Sequence, residues 1–132
     1  MNAQHAVRRV EQFERALTQL REAFAVPMDA PLALDGTIQR FEFTFELCWK
    51  AMKAVLELQI AVTTLGTARA VIKAAYAAGW IDDEPGWIEL LDMRNASSHI
   101  YNETAARDIY HRIKLRFPLM ERAGAALRKQ LV

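Results

Sequence analysis

The chain has 132 residues, a net charge of +1, 52% hydrophobic residues and 25% charged residues, a composition that supports a buried core and excludes a disordered chain. Five glycines and four prolines are too few turn-forming residues for a many-stranded β protein. The near-zero net charge gives no general case for nucleic-acid or membrane binding, and the single cysteine, Cys48, excludes an internal disulfide and a cysteine-based zinc site.

Apolar residues recur every three or four positions in five segments, which predicts five helices and no strand. The segments run from Gln4 to Ala25, from Asp35 (a candidate N-cap) to Gln59, from Thr67 to Ala78, from "DDEP" at 82–85 into the 91–103 stretch, and from Asn102 or Thr104 onward. Pro118 is expected to kink the last helix. The prediction is an all-α, antiparallel, up-and-down bundle of four or five helices, folded as one domain over residues 1–132.

The second predicted helix is apolar over most of its circumference. Six of its polar residues share one narrow strip: Gln39, Glu42, Glu46, Lys50, Lys53 and Glu57. A helix with this pattern is buried on more than one side, so we expect a homodimer whose interface includes part of Phe43–Leu58. Arg40 lies on the apolar side, where an unpaired charge is costly, and is expected to meet a carboxylate from "DDE" at 82–84 or from a second subunit.

Charge is segregated along the last third of the chain. Residues Trp80–Glu103 include six acidic residues and one arginine, whereas Thr104–Val132 include seven basic and two acidic residues. Three interpretations remain open: complementary surfaces between chains, a basic face for an anionic ligand, or two helix faces that neutralise each other.

No apolar run approaches the roughly 20 residues of a membrane span. The N-terminal sequence also lacks the hydrophobic segment of a signal peptide. A cytoplasmic protein without membrane association is therefore expected.

The stretch "LDMRNASSHIYNE", residues 91–103, concentrates four residues that suit chemistry: Arg94, Asn95, His99 and Tyr101. Arginine binds phosphate through a two-donor fork, histidine moves protons near neutral pH, and asparagine can fix the histidine tautomer or contact a substrate. Together they could bind a phosphodiester and help a ribose 2′-hydroxyl attack it, with no metal or cofactor. In the alternative interpretation, Arg94 pairs with a nearby carboxylate and His99 caps the helix end.

Helix geometry limits the first interpretation. Residues five positions apart on one helix, such as Arg94 and His99, differ by about 140°. A helix break near Ser97, or a second copy across a dimer, is needed to bring them together.

Three segments resemble a known family: "IQRFEFTFELCWKAMK" (38–53), "GWIDDEPGWIELLDMRNASSHIYNE" (79–103) and "AARDIYHRI" (105–113). They are similar to the nucleotidyltransferase substrate-binding proteins of the HEPN superfamily, and the resemblance spans essentially the whole chain. It implies a HEPN-like helical bundle, a homodimer, and a separate minimal nucleotidyltransferase encoded nearby for which this chain supplies the substrate-binding half. The chain lacks the Gly-Ser motif and spaced aspartates of a nucleotidyltransferase and is not expected to be the transferase itself.

The resemblance also implies an alternative function. Related HepT-type toxins are metal-independent ribonucleases with an Arg–x4–His–x–Tyr motif, matched here by Arg94, His99 and Tyr101, with Asn95 in the polar position after the arginine. The implied catalytic residues are Arg94, Asn95 and His99, and Tyr101 is the implied acceptor of AMP from the antitoxin nucleotidyltransferase. RNA or a nucleotide is the ligand to expect. The candidate substrate-binding residues are Arg40, together with three that match the family's "FEFTFELxWK" motif: Glu46, Trp49 and Lys50.

Overall fold

A computed structural model describes residues 3–59 and 65–131 of the chain. Within those residues it contains five helices and no strand, so the predicted all-α bundle is confirmed. The helices are α1 (Ala3–Ala25), α2 (Ala33–Gln59), α3 (Ala68–Ala77), α4 (Glu84–Ser97) and α5 (Glu103–Gln130). None of these helices is long and apolar enough to cross a membrane.

Side-chain caps fix the start of three helices. The side chains of Thr67, Asp83 and Asn102 each accept a hydrogen bond from the backbone N–H three residues further on, as N-cap residues do. The third helix ends before Gly79, whose φ of 80° suits a residue without a Cβ atom. These local signals explain why α3, α4 and α5 start, and α3 stops, close to where the sequence predicts.

The start of α2 differs from the prediction. The helix begins at Ala33, so Asp35 lies within its first turn and is not the N-cap. A tight turn precedes it: Leu32 has a φ of 66°, and its carbonyl oxygen accepts from the N–H of Gly36 at 2.8 Å. Asp35 still stabilises the helix, because an acidic side chain near the N-terminus complements the helix dipole.

Helix α2 is the central element of the bundle and contacts each of the other four helices. Its larger buried apolar side chains are Ile38, Phe41, Phe45, Cys48, Met52, Val55 and Leu56. Burial raises the pKa of the Cys48 thiol, which makes Cys48 an inert core residue. The fold itself therefore accounts for most of the apolar circumference. Phe43 is the main exception, because it remains 54% exposed beside the half-buried Leu47.

The acidic and basic segments near the C-terminus neutralise each other within the chain. Glu89 of α4 lies 3.5 Å from Arg112 and 3.2 Å from Arg116 of α5, and Asp82 lies 3.2 Å from Arg122. The hydrogen bond from Arg116 is the main reason that the pKa of Glu89 is lowered. Of the three interpretations of this charge pattern, intramolecular pairing of two helix faces is confirmed.

Helix α5 continues through Pro118 to Gln130, and the kink expected at Pro118 stays a prediction. Near its C-terminal end α5 passes close to α1, where a Cβ atom on Gly124 would lie 3.0 Å from the side chain of Leu17. The small residue lets the two helices approach at this point.

Candidate functional site

Arg94 lies in the last turn of α4 and faces α2. Its Nη1 donates a hydrogen bond to Oε1 of Glu46, and its guanidinium carbon lies 5.6 Å from the centre of the Phe45 ring. The expectation that Arg94 pairs with a nearby carboxylate is confirmed. An arginine has five N–H donors, and Nε of Arg94 is buried without a hydrogen-bond partner among the described residues. The ion pair therefore orients Arg94, and its partly exposed guanidinium keeps N–H donors that Glu46 does not use.

Glu46 joins three of the candidate residues into one cluster. Its second oxygen, Oε2, accepts from Nε1 of Trp49 at 3.2 Å and lies 4.0 Å from Nζ of Lys50. The side chains of Glu46 and Arg94 are 34% and 29% exposed. Glu46, Trp49, Lys50 and Arg94 consequently form a polar cluster that water or a ligand can reach. We call it the Glu46 cluster.

A second contact holds the end of α4 on α2. Oγ of Ser97 donates to Oε2 of Glu42 at 2.6 Å. The sequence interpretation did not single out Glu42, although a signal exists: Glu42 and Glu46 are one turn apart on the polar strip of α2. Ser97 and Arg94 are likewise one turn apart on α4, so two parallel contacts fix the orientation of this segment.

The remaining residues of the stretch lie beyond the helix or on its exposed face. Helix α4 ends at Ser97, which agrees with the helix break that the chemical interpretation requires. Among the described residues, His99 contacts the helix end through its backbone N–H, which donates to the carbonyl oxygen of Ala96 at 2.9 Å. The side chains of Asn95 and His99 are exposed. No hydrogen bond or ion pair joins Arg94 to His99 in the part of the chain that the structure describes, so their convergence stays a prediction that needs a second copy.

Tyr101 is the most exposed aromatic residue among those described, at 85%. It lines a cavity of about 490 Å³ between the loop before α2 and the start of α5. Arg107 spans this cavity, with its guanidinium 2.7 Å from Asp29 and 3.4 Å from Glu103. Leu32, 82% exposed, also lines it. The sequence predicted Tyr101 as a site residue but gave no signal for this cavity, because its walls are far apart in the chain.

Arg40 is separate from the Glu46 cluster. Its Nη1 donates to Oε1 of Gln19 on α1 at 2.8 Å, and the residue is exposed. The prediction that Arg40 meets a carboxylate of the 82–84 segment is therefore wrong. An exposed guanidinium is hydrated and needs no counter-ion. The sequence pattern had placed Arg40 on the apolar side of the helix, where burial was expected. Of the four candidate substrate-binding residues, the structure brings three together and leaves Arg40 on the side that faces α1.

A family profile described as "Nucleotidyltransferase substrate binding protein like" matches residues 8–129. The chain belongs to this family. Membership confirms the main interpretation of the sequence, a protein of the nucleotidyltransferase substrate-binding class. A Haemophilus influenzae protein named "Probable ribonuclease HepT" is 38% identical over 82 residues, which are 59% of this chain and 56% of that protein. The chain thus spans little more than half the length of this curated relative.

Two solved structures share the fold of this family member. A Thermus thermophilus protein superposes with a TM-score of 0.80 and 34% identity, over 88% of this chain and 98% of that one. A Haemophilus influenzae protein superposes with a TM-score of 0.70 and 26% identity, over 96% and 99% of the two chains. That second structure is described as revealing the fold of a substrate binding domain of a nucleotidyltransferase.

Proposed function

We propose that this chain is the substrate-binding subunit of a two-part nucleotidyltransferase, in which a separate minimal nucleotidyltransferase, encoded nearby, performs the transfer. Family membership supports this function, as does the description of the Haemophilus influenzae structure. We further propose that the hydroxyl group presented to the partner is that of Tyr101.

The exposure of Tyr101 carries this proposal. An acceptor on one protein must enter the active site of another, and Tyr101 is 85% exposed in the short connection between α4 and α5. In the reaction, the phenolic oxygen attacks the α-phosphorus of ATP and a new P–O bond forms. The bond to the α,β-bridging oxygen breaks, pyrophosphate leaves, and the phenolic proton passes to a base of the partner or to water.

The test is to purify the chain with the minimal nucleotidyltransferase encoded nearby, add ATP and Mg²⁺, and locate AMP by mass spectrometry. We expect a stable complex and AMP on Tyr101. Tyr101→Phe should abolish the modification, because only the hydroxyl oxygen can accept AMP. Tyr76→Phe is a matched control, because Tyr76 is also exposed, at 46%, but lies on α3. Equal modification of wild type and Tyr101→Phe would contradict Tyr101 as the acceptor, and the absence of any complex would contradict the subunit function.

A second function has its own support, a metal-independent ribonuclease active as a homodimer. The relative named "Probable ribonuclease HepT" favours it, as do the partly exposed side chain of Arg94 and the exposed His99 imidazole. Phe43 and Leu47 lie beside Glu46 on the exposed side of α2, so a two-fold contact through them would set the Arg94–His99 segments of two copies around one axis.

In this reaction His99 takes the proton of a ribose 2′-hydroxyl while Arg94 neutralises the phosphate, with Asn95 as a further polar contact. The 2′-oxygen bonds to phosphorus and the bond to the 5′-oxygen breaks. The departing 5′-oxygen takes a proton from water, which leaves a cyclic phosphate and a 5′-hydroxyl group. Adenylylation of Tyr101 would then block access of RNA to the same segment.

The ribonuclease test uses purified protein and RNA with EDTA present. His99→Ala should lower the cleavage rate about 10²–10⁴-fold, the usual contribution of a general acid or base. Arg94→Lys should also lower the cleavage rate, because the point charge of lysine does not reproduce the two-donor fork of arginine. His111→Ala is the matched control, since His111 is exposed on α5. Equal cleavage by wild type and His99→Ala would contradict the ribonuclease function.

A further inference from the structure

Most of the basic side chains without an ion pair among the described residues lie on α1 and α2, although the sequence is most basic in α5. All five arginines of α5 are in ion pairs with carboxylates: Arg107, Arg112, Arg116, Arg122 and Arg128. In contrast, several basic residues of α1 and α2 have no ion pair with any described residue: Arg8, Arg9, Arg15, Arg40 and Lys53. Folding therefore neutralises the arginines of α5 and leaves its two lysines, Lys114 and Lys129, without an ion pair among the described residues.

Part of this surface is concave. A groove of about 190 Å³ lies between the first half of α1 and the second half of α2, and its basic lining residues include Arg9, Lys50 and Lys53. Glu57 supplies the one carboxylate among the residues that line it. His5 adds an imidazole at the same place. The lining therefore carries a net positive charge before His5 is counted, which favours an anion.

The cations of this groove are weakly engaged by the rest of the chain. Nη1 of Arg9 lies 3.5 Å from the neutral amide of Gln12, at the limit of a hydrogen bond. Lys50 lies 4.0 Å from Glu46, whose other oxygen already accepts from Arg94. A phosphate oxygen can displace contacts of this kind at little cost.

The groove is continuous with the Glu46 cluster. Trp49 lines the groove while its indole Nε1 donates to Glu46, and Lys50 belongs to both sites. From Glu46 to Lys53 the helix rises about 10 Å, which suits a row of phosphates better than a single one. A half-buried tryptophan beside a row of cations is also the combination that single-stranded nucleic acids use for stacking and backbone contact.

We propose that this groove, lined by Arg9, Trp49, Lys50 and Lys53, binds backbone phosphates of single-stranded RNA and leads the strand toward Arg94. The groove extends the ribonuclease function proposed above by adding a substrate contact. RNA binding here requires neither cleavage nor a nucleotidyltransferase, so its failure and the failure of either proposed function are separately observable.

The test measures the anisotropy of a short fluorescein-labelled single-stranded RNA with EDTA present, in the His99→Ala background so that the probe stays intact. Titrations at several salt concentrations give the slope of the logarithm of the binding constant against the logarithm of the salt concentration. Lys53→Ala should weaken binding several-fold at low salt and flatten the slope by about 1, the effect of removing one phosphate contact. Lys73→Ala is the matched control, because Lys73 is an exposed lysine of α3 without an ion pair among the described residues.

Binding that is weakened by Lys53→Ala and unchanged by Lys73→Ala supports the groove. Equal weakening by both variants would show a general charge effect and overturn it, and so would the absence of binding by the parent protein. ATP is added as a competitor to separate a polynucleotide from a mononucleotide. Displacement of RNA at ATP concentrations close to those of the RNA would assign the site to a free nucleotide and contradict the proposal.

Discussion

Replacement of Glu46 by glutamine tests whether the Glu46 cluster fixes the position of Arg94. Glutamine keeps the size of the side chain and one oxygen acceptor but removes the charge. In the wild type, one carboxylate oxygen accepts from Arg94 and the other from Trp49 at 3.2 Å. In the variant, one of the two acceptors becomes an N–H₂ donor, so either the arginine or the indole loses its partner.

The magnitude follows from these two contacts. A hydrogen bond to a charged group contributes about 1.5–3 kcal/mol and a neutral one about 0.5–1.5 kcal/mol. Glu46 and Arg94 are about one-third exposed, so screening by water places the charge contribution at the low end. Losing the charge on one bond and the whole of the other should destabilise the protein by about 1.5 kcal/mol. For a chain of this size that corresponds to a decrease in Tm of about 5 °C.

The assay is urea denaturation followed by circular dichroism, with a double-mutant cycle between Glu46→Gln and Arg94→Gln. We expect a coupling energy of about 1 kcal/mol between the two positions, because they share one ion pair. Glu57→Gln is the control on the same helix and should change stability by less than about 0.5 kcal/mol, since Glu57 has no ion pair among the described residues. A coupling energy near zero, or an equal loss in Glu57→Gln, would refute the orienting role of Glu46.

Gly86→Ala should lower the free energy of unfolding by about 2–4 kcal/mol in urea denaturation, because its Cβ would lie 2.6 Å from the α4 N-cap carboxylate and 2.7 Å from a leucine of α5. The control is Gly36→Ala, which has nothing within 4 Å and should be neutral or stabilising by up to about 1 kcal/mol. Equal effects of the two substitutions would contradict this packing. Since the hydrogen bond from Arg116 lowers the pKa of Glu89 in the folded state, Glu89 contributes stability above its unfolded pKa of about 4.3, and this contribution is lost as pH falls through the lower folded value. Glu89→Gln should therefore be less stable than wild type at pH 7, and the difference should shrink as the pH falls below the unfolded value. A difference that does not change between neutral and acid pH would exclude the ion pair as its cause. Phe43→Asp should shift a sedimentation equilibrium from dimer toward monomer, because it puts a carboxylate on the exposed apolar part of α2. A wild-type protein that is monomeric at micromolar concentration would contradict the dimer.

The sequence by itself determined the helices, because their signals are local. Caps such as Thr67 and Asn102 act on backbone groups three residues away, and the apolar spacing of each helix is visible without its neighbours. The same holds for the family, since its motifs are continuous stretches of the chain. Asp35 shows the limit of such signals, because the turn around Leu32 starts the helix two residues earlier.

Only the tertiary structure decided which groups meet. The apolar pattern of α2 predicted burial on several sides, but it could not say whether a second subunit or the other four helices cover them, because periodicity does not identify a neighbour. Arg94 and Glu46 are 48 positions apart, so their contact depends on how α4 packs against α2. The basic charge of α5 is prominent in the sequence, yet carboxylates of α1, α4 and two loops neutralise its arginines, and the positive groove forms elsewhere. Composition counts charges, whereas a surface potential depends on the pairs that folding makes.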